Sequence, residues 1–134
     1  QASIQTLPER KYIPLGEEAT LYQNEIFYFY PTIAFVQDAP SGRPRISFGA
    51  YLEPSQSVPV RYLKQVETLP AMQMLCAHFR GTYPDAIDFG CQLRLAHPEL
   101  PLSDDALHFN IVDQFIETAQ ENYITEIQIP ILDA

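Results

Sequence analysis

The chain has 134 residues, 46% of them hydrophobic and 12% aromatic, and its formal net charge is −9 at pH 7. This length suits one domain with a core of its own, and this composition excludes a disordered tail. The negative charge repels nucleic-acid phosphates and attracts cationic ligands or a basic partner surface, although acidity also serves solubility alone.

The N-terminal half is predicted to consist of short strands and turns. Its predicted strands are residues 2–7, a continuation through Tyr12 and Ile13, 24–37 and 45–52. Pro8 has no N–H to give to a strand ladder, so it marks a bulge or an edge. The run 24–37 also fits a helical period, but its aromatic and β-branched residues favour a strand. Turn residues at 38–44 make it a hairpin with 45–52.

Three further segments of this half have weaker signals. Residues 16–21 fit either a short helical turn or a loop, and residues 55–59 have the composition of a linker. Residues 60–63 are predicted to be a short extended piece.

The second half is predicted to read strand, helix, strand, strand. These elements fall at 66–79 with a break at Pro70, 82–97, 106–112 and 123–132, with a loop at 100–104 and a turn or single helical turn at 116–122. Thr82 followed by Asp85 is a helix start signal, and the helix ends at His97 because Pro98 follows it. The apolar stripe expected to face the core is Ile87, Cys91 and Leu95, with Ala86, Gly90 and Leu93 beside it.

A short repeat links the two halves. Thr-Leu-Pro occurs at position 6 and again at position 68, an offset of 62 residues, and both copies open extended segments. A duplicated unit has this appearance. We therefore predict one domain over 1–134, built from half-repeats of roughly 1–64 and 65–134 that face each other across a cleft.

The sequence carries no recognisable catalytic or metal-binding motif. Cys76 and His78 share a strand face but would need a third ligand to hold a metal ion, and no zinc, nucleotide or nucleophile motif has the required spacing. We therefore expect no catalytic residue, metal site or cofactor. Cys76 and Cys91 are predicted to be small buried hydrophobic residues rather than a disulfide.

Targeting signals are also absent from the sequence. No apolar run is long enough to span a membrane and no signal peptide is visible, which predicts a cytoplasmic location. The chain begins with Gln1 instead of Met, which indicates a processed protein or, in preference, a fragment of a longer one.

Aromatic residues are concentrated in the first half. Tyr22 and residues 27–30 place five rings within nine positions, and Phe48 and Tyr51 follow on the other strand of the hairpin. Successive strand residues point to opposite faces, so one set of rings packs in the core and the other faces solvent or a pocket. A ring-lined pocket with carboxylates suits flat or cationic organic ligands. The alternative is that these rings form core or a dimer interface.

Several stretches resemble a known family. Residues 123–131 (YITEIQIPI), preceded by a strand, the junction 80–84 (RGTYP) and a helix, resemble the closing half of GyrI-like effector-binding domains. Residues 131–133 (ILD) and 47–50 (SFGA) are similar to the multidrug-sensing members. These domains stand at the C-terminal end of many MerR-type and some AraC-type transcription regulators. The resemblance covers nearly the whole chain and is loosest over 16–44.

The resemblance implies a fold and a site. The fold is α+β, with duplicated strand–helix–strand–strand units that form antiparallel sheets around a central ligand cleft. The site in multidrug-sensing members is a ring cage around a buried carboxylate, and Tyr123, Phe48 and Tyr62 fall on ring positions. The carboxylate position falls on His108, which cannot offset a ligand cation.

Two explanations of this departure stay open. Either another acid (Glu126, Glu25 or Glu67) takes the role, or the domain accepts neutral ligands through its rings alone. The candidate ligand-binding residues are Tyr28, Tyr30, Phe48, Tyr51, Tyr62, Phe79, His108, Tyr123 and Glu126.

The resemblance also implies a function and partners. The chain is expected to be the small-molecule-sensing domain of a MerR-type regulator, with a hydrophobic, aromatic or cationic ligand. DNA would be contacted only through a helix-turn-helix region outside this chain, the full-length protein would be a homodimer, and no membrane would be involved. The alternative is a stand-alone GyrI-like protein, either a small-molecule hydrolase or a gyrase-inhibitor-type protein-binding module.

Overall fold

The computed structural model describes residues 1–16, 32–54, 57–58, 60–112 and 118–132. Within these ranges eight strands form one sheet, and one α-helix packs on it. The elements are β1 (Ser3–Leu7), β2 (Arg10–Gly16), β3 (Thr32–Gln37), β4 (Arg45–Leu52), β5 (Glu67–Leu69), β6 (Met72–Arg80), α1 (Tyr83–Ala96), β7 (Ala106–Val112) and β8 (Ile124–Pro130). The predicted features at 17–31, and the predicted ligand-binding residues Tyr28 and Tyr30, lie outside the described residues.

The sheet has the symmetry of a duplicated unit. Its strand order is β1-β6-β8-β7-β3-β4-β2-β5, and every strand pair is antiparallel. The order reads the same from both ends when β1–β4 are exchanged with β5–β8. The two Thr-Leu pairs of the repeat close β1 and β5, which are equivalent strands. The predicted antiparallel α+β fold is confirmed, while the half-repeat boundary stays a prediction.

Helix α1 begins and ends where its local signals require. The Thr82 hydroxyl accepts a hydrogen bond from the backbone N–H of Asp85 at 3.3 Å, and Pro84 occupies the first turn. This cap satisfies one of the N–H groups that an α-helix leaves free at its start. The helix stops at His97, directly before Pro98. Both predicted ends are confirmed.

The side of α1 that packs on the sheet differs from the prediction. Ala86, Gly90 and Leu93 are the buried residues of the helix, whereas Leu95 is 82% exposed. Small residues at two of these three positions let the helix approach the sheet closely. The prediction is therefore wrong for Leu95, while Ile87 and Cys91 are half-buried and the residues predicted beside them make the contact with the sheet.

The sheet has two faces with different partners. The helix face packs against α1 through Leu75 and Ala77 of β6 and Ile127 and Ile129 of β8. The opposite face, here called the cleft face, gathers a second buried cluster: Ile33, Met74, Cys76, Leu107 and Phe109. Both faces of the central strands are thus apolar, as strands covered on both sides must be.

Residues 60–65 form a 3-10 helix, so the extended piece predicted over 60–63 is wrong. Tyr62 and Val66 pack against Ile13 of β2 and Leu52 of β4. This contact removes the apolar surface of Ile13 and Leu52 from water. None of the helices among the described residues is long and apolar enough to cross a membrane.

Candidate ligand-binding cleft

Cross-strand pairing places one row of side chains on each face of the sheet. Directly paired residues point the same way, and the next residue along each strand points the other way. The row on the cleft face is Gly49, Ile33, Phe109, Glu126 and His78. The adjacent row on the helix face is Phe48, Ala34, His108, Ile127 and Ala77.

Two ring pairs line the cleft face. The centroids of Tyr12 and Phe35 are 4.9 Å apart, and those of Tyr51 and Phe109 are 5.7 Å apart in an edge-on arrangement. Gly49 makes room for the first pair, since a Cβ at this position would lie 2.9 Å from the Phe35 ring and 3.0 Å from the Tyr12 ring. The glycine in the middle of β4 is therefore required by the close approach of these rings.

A chain of polar contacts crosses the same face. The Arg10 guanidinium donates to Oε1 of Gln128 at 2.8 Å, and Nε2 of Gln128 donates to Oε2 of Glu126 at 2.7 Å. The other carboxylate oxygen, Oε1, lies 3.3 Å from Nε2 of His78. The Glu126 side chain is 23% exposed, so it keeps access to the cleft while both oxygens have neighbours.

The Arg10 contact shows that the sheet is strongly curled. Four inter-strand steps separate β2 from β8, which would place them about 19 Å apart in a flat sheet. Arg10 of β2 nevertheless reaches Gln128 of β8, Sδ of Met74 in β6 at 3.6 Å, and the Phe109 ring, whose centroid is 5.4 Å from Cζ. The two halves of the sheet therefore face each other across the cleft.

A cavity of about 620 Å³ adjoins this group. Arg10 and Tyr51 line it from the cleft, and Val58, Leu63 and Val66 line it from the segment that follows β4. Cavities of this size hold drug-sized organic molecules, and the lining of this one combines these apolar side chains with the charged residues Glu9, Lys11 and Glu53.

Burial shapes the acid–base chemistry of the cleft. It raises the pKa of the Cys76 thiol to about 11, with a smaller contribution from Glu126, so this cysteine is a weak nucleophile at neutral pH. Burial also raises the pKa of Tyr12, and the nearby Glu67 carboxylate, which is hydrogen-bonded to it, raises it further. For Arg10, burial lowers the pKa, and the surrounding groups oppose that effect.

The predicted ligand-binding residues divide between the two faces. Glu126 and Tyr51 lie on the cleft face, and Glu126 is one of the three predicted alternative acids, of which Glu25 lies outside the described residues. The remaining described candidates lie on the helix face: Phe48 and His108 in its cross-strand row, Phe79 against Phe89, Tyr123 stacked on Tyr83, and Tyr62 beside Ile13 and Leu52. Phe48, His108 and Tyr123 therefore do not converge on the cleft.

His108 is buried on the helix face. Burial lowers its pKa to about 4, and the charge of Arg94 in α1 lowers it further in the same direction. The imidazole is therefore neutral at pH 7. A ligand-binding role for the helix-face residues stays a prediction.

Several cleft residues were missed by the sequence analysis: Arg10, Tyr12, Phe35, Phe109 and Gln128. The alternation of β8 contained a signal for Gln128, because it lies two positions from Glu126 and shares its face. Arg10 had no local signal, since its partner Gln128 is 118 positions away in sequence.

No protein-family model and no curated protein matches this sequence. Among solved structures, the EcmrR C-terminal domain superposes with a TM-score of 0.67 at 11% identity, covering 100% of this chain and 98% of that one. The chain has the fold of that domain. The EcmrR chain of an EcmrR–DNA complex also superposes on this chain, with a TM-score of 0.64 at 14% identity, and this chain covers 58% of its length.

Two further structures share the fold. SAV2435 bound to tetraphenylphosphonium has a TM-score of 0.59 at 13% identity, covering 98% of this chain and 94% of that one. A hydrolase encoded by lin2189 of Listeria innocua has a TM-score of 0.65 at 8% identity, covering 98% and 92%. These similarities confirm the predicted GyrI-like fold.

Proposed function

We propose that this chain is a small-molecule-sensing domain that binds hydrophobic aromatic ligands, organic cations among them, in the cleft. The observation that carries the proposal is the partly exposed Glu126 carboxylate on a face lined by Tyr51 and Phe109, of which Tyr51 also lines a cavity of about 620 Å³. Ring faces attract cations and flat molecules, and a carboxylate supplies the opposite charge. The tetraphenylphosphonium complex of a protein with this fold supports the same ligand class.

Glu126 takes the role that the family resemblance placed on His108. His108 points to the helix face, whereas Glu126 is paired with Phe109 and lies among the cleft rings. Glu67 also lies on the cleft side, but it is hydrogen-bonded to Tyr12. Glu126 is therefore the acid that we expect to neutralise a ligand cation.

We further propose a place for this domain in a transcription regulator of the MerR type. The EcmrR chain in its DNA complex is longer than this one, which leaves room for a DNA-binding region outside the chain. A ligand that binds one arrangement of the two sheet halves better than another shifts the population toward it, and the rest of a cytoplasmic homodimer would read this shift.

The test is a calorimetric titration of the chain with tetraphenylphosphonium, repeated on Glu126→Gln. We expect saturable binding to the wild type and a loss of about tenfold or more in the variant, because a carboxylate near a cation in a low-dielectric cleft stabilises it. Glu99→Gln removes the same charge from an exposed position after α1 and should leave binding unchanged. Absence of saturable binding for a panel of aromatic cations and neutral aromatic molecules would overturn the proposal.

A second candidate function is hydrolysis of small molecules. It is favoured by the contact between His78 and Glu126, a pair of groups that could move a proton within an aromatic cleft, and by the fold shared with a protein described as a hydrolase. Turnover of activated esters that is lost in both Glu126→Gln and His78→Gln would support it. Equal turnover by wild type and variants would exclude this pair as its source.

A further inference from the structure

We propose that Arg10 is the resident cation of the cleft, and that an organic cation binds by displacing the Arg10 guanidinium from the Phe109 ring and from Gln128. This inference rests on the proposed function and adds a residue that sets ligand specificity. Arg10 makes the cleft discriminate against cations, because every cationic ligand must displace it.

Arg10 already makes the contacts that a ligand cation would make. Its Cζ lies 5.4 Å from the centroid of Phe109, within the range of a cation–π interaction. Its charge also reaches the acid of the cleft, because it donates to the same Gln128 amide that donates to Glu126. An organic cation on this ring face would therefore compete with Arg10 both for the ring and for Glu126.

The guanidinium is held by an incomplete set of partners. Its Nε–H is buried and has no hydrogen-bond partner among the described residues. One terminal nitrogen donates to the thioether of Met74, a weak acceptor, at 3.6 Å. Burial of a charged group with an unsatisfied N–H costs free energy, which displacement into water would recover. A ligand can thus displace the Arg10 guanidinium into water, because it is carried on a long and flexible side chain.

The position of Arg10 connects the cation site to the cavity. Arg10 lines the cavity of about 620 Å³ and also contacts the Phe109 ring. We expect movement of its side chain to open the ring face toward this cavity, whose lining includes the apolar side chains of Val58 and Leu63. The geometry therefore suits a cation with bulky aromatic substituents, whose charge takes the place of the guanidinium while its rings fill the cavity.

A pair of probes of nearly equal shape separates charge from size. Methyltriphenylphosphonium is cationic, and triphenylphosphine oxide carries the same three phenyl rings without net charge. For Arg10→Met, calorimetry should show an affinity for the phosphonium about tenfold higher than for the wild type. The oxide should gain nothing, because its oxygen loses a donor. Arg43→Met makes the same charge change on the exposed turn before β4 and should shift neither affinity more than about twofold.

A measurement on the wild type makes the test independent of whether the variant folds. In a ¹⁵N-labelled sample, the buried Nε–H of Arg10 should exchange slowly with water in the free protein. It should exchange rapidly when methyltriphenylphosphonium saturates the cleft.

The outcomes separate this inference from the proposed function. If Arg10→Met leaves phosphonium affinity within twofold of the wild type, while Glu126→Gln weakens it, the cation site exists but Arg10 does not occupy it, and the inference fails alone. An Arg10 Nε–H that stays protected from exchange at saturation would overturn the inference in the same way. If neither the wild type nor Arg10→Met binds the phosphonium, both the inference and the proposed function are overturned.

Discussion

Lowering the pH tests the environment assigned to His108. This side chain is 5% exposed on the helix face, and burial followed by the charge of Arg94 lowers its pKa to about 4. In the unfolded chain a histidine has a pKa of about 6.5. Below about pH 6.5 His108 is protonated in the unfolded state, whereas in the folded state it is protonated only as the pH approaches 4. Acid therefore favours unfolding.

The magnitude follows from these two pKa values. The contribution of His108 to stability is fully present above about pH 6.5 and is lost progressively as the pH falls toward 4. Between pH 7 and pH 5 the protonation of the unfolded state alone lowers the free energy of unfolding by about 2 kcal/mol. His108→Leu, which cannot titrate, should lack this part of the pH dependence.

The assay is urea unfolding followed by circular dichroism at pH 7 and pH 5. We expect the wild type to lose about 2 kcal/mol more between these pH values than His108→Leu does. Comparing the two pH values within each variant makes the test independent of any change in stability that the substitution itself causes. Equal losses for the wild type and His108→Leu would refute the reasoning, since they would mean that His108 is protonated equally in both states.

Two further predictions concern the cleft face. Gly49→Ala should lower the free energy of unfolding by about 1–3 kcal/mol, because the added Cβ comes 2.9 Å from the Phe35 ring. Thermal unfolding measures this loss, and Ser47→Ala, on the same strand and the same face, is the near-neutral control. Burial raises the pKa of Cys76 to about 11, so the ¹³Cβ chemical shift of Cys76, measured by NMR, should remain that of a thiol at pH 9.5. A thiolate shift at that pH would contradict that environment.

Elements with strong local signals could be predicted from the sequence. The cap at Thr82, the stop at Pro98 and the apolar run of β6 each depend on neighbours in the chain, and the structure has all three. The side of α1 could not be read in this way. A stripe of large apolar residues favoured Leu95, whereas close packing on the sheet selected the small residues Ala86 and Gly90.

The composition of the cleft depended on information that the sequence does not carry locally. Neighbouring residues of β7, His108 and Phe109, point to opposite faces, so the sequence alone could not tell which of them faces the cleft. The contact between Arg10 and Gln128 arises from the curl of the whole sheet. The sequence allowed Glu126 to be proposed as an acid. Its aromatic neighbours and its hydrogen-bond partners could be identified only from the register of the paired strands.

The strand order has a consequence for how such a molecule arises. β1 belongs to the first half but pairs with β6, and β5 belongs to the second half but pairs with β2. Each predicted half thus gives its first strand to the other, and a polypeptide with one half alone would leave β2 or β6 as an open edge. We expect that two copies of such a polypeptide would close both edges by exchanging those strands, as the two halves of this chain do.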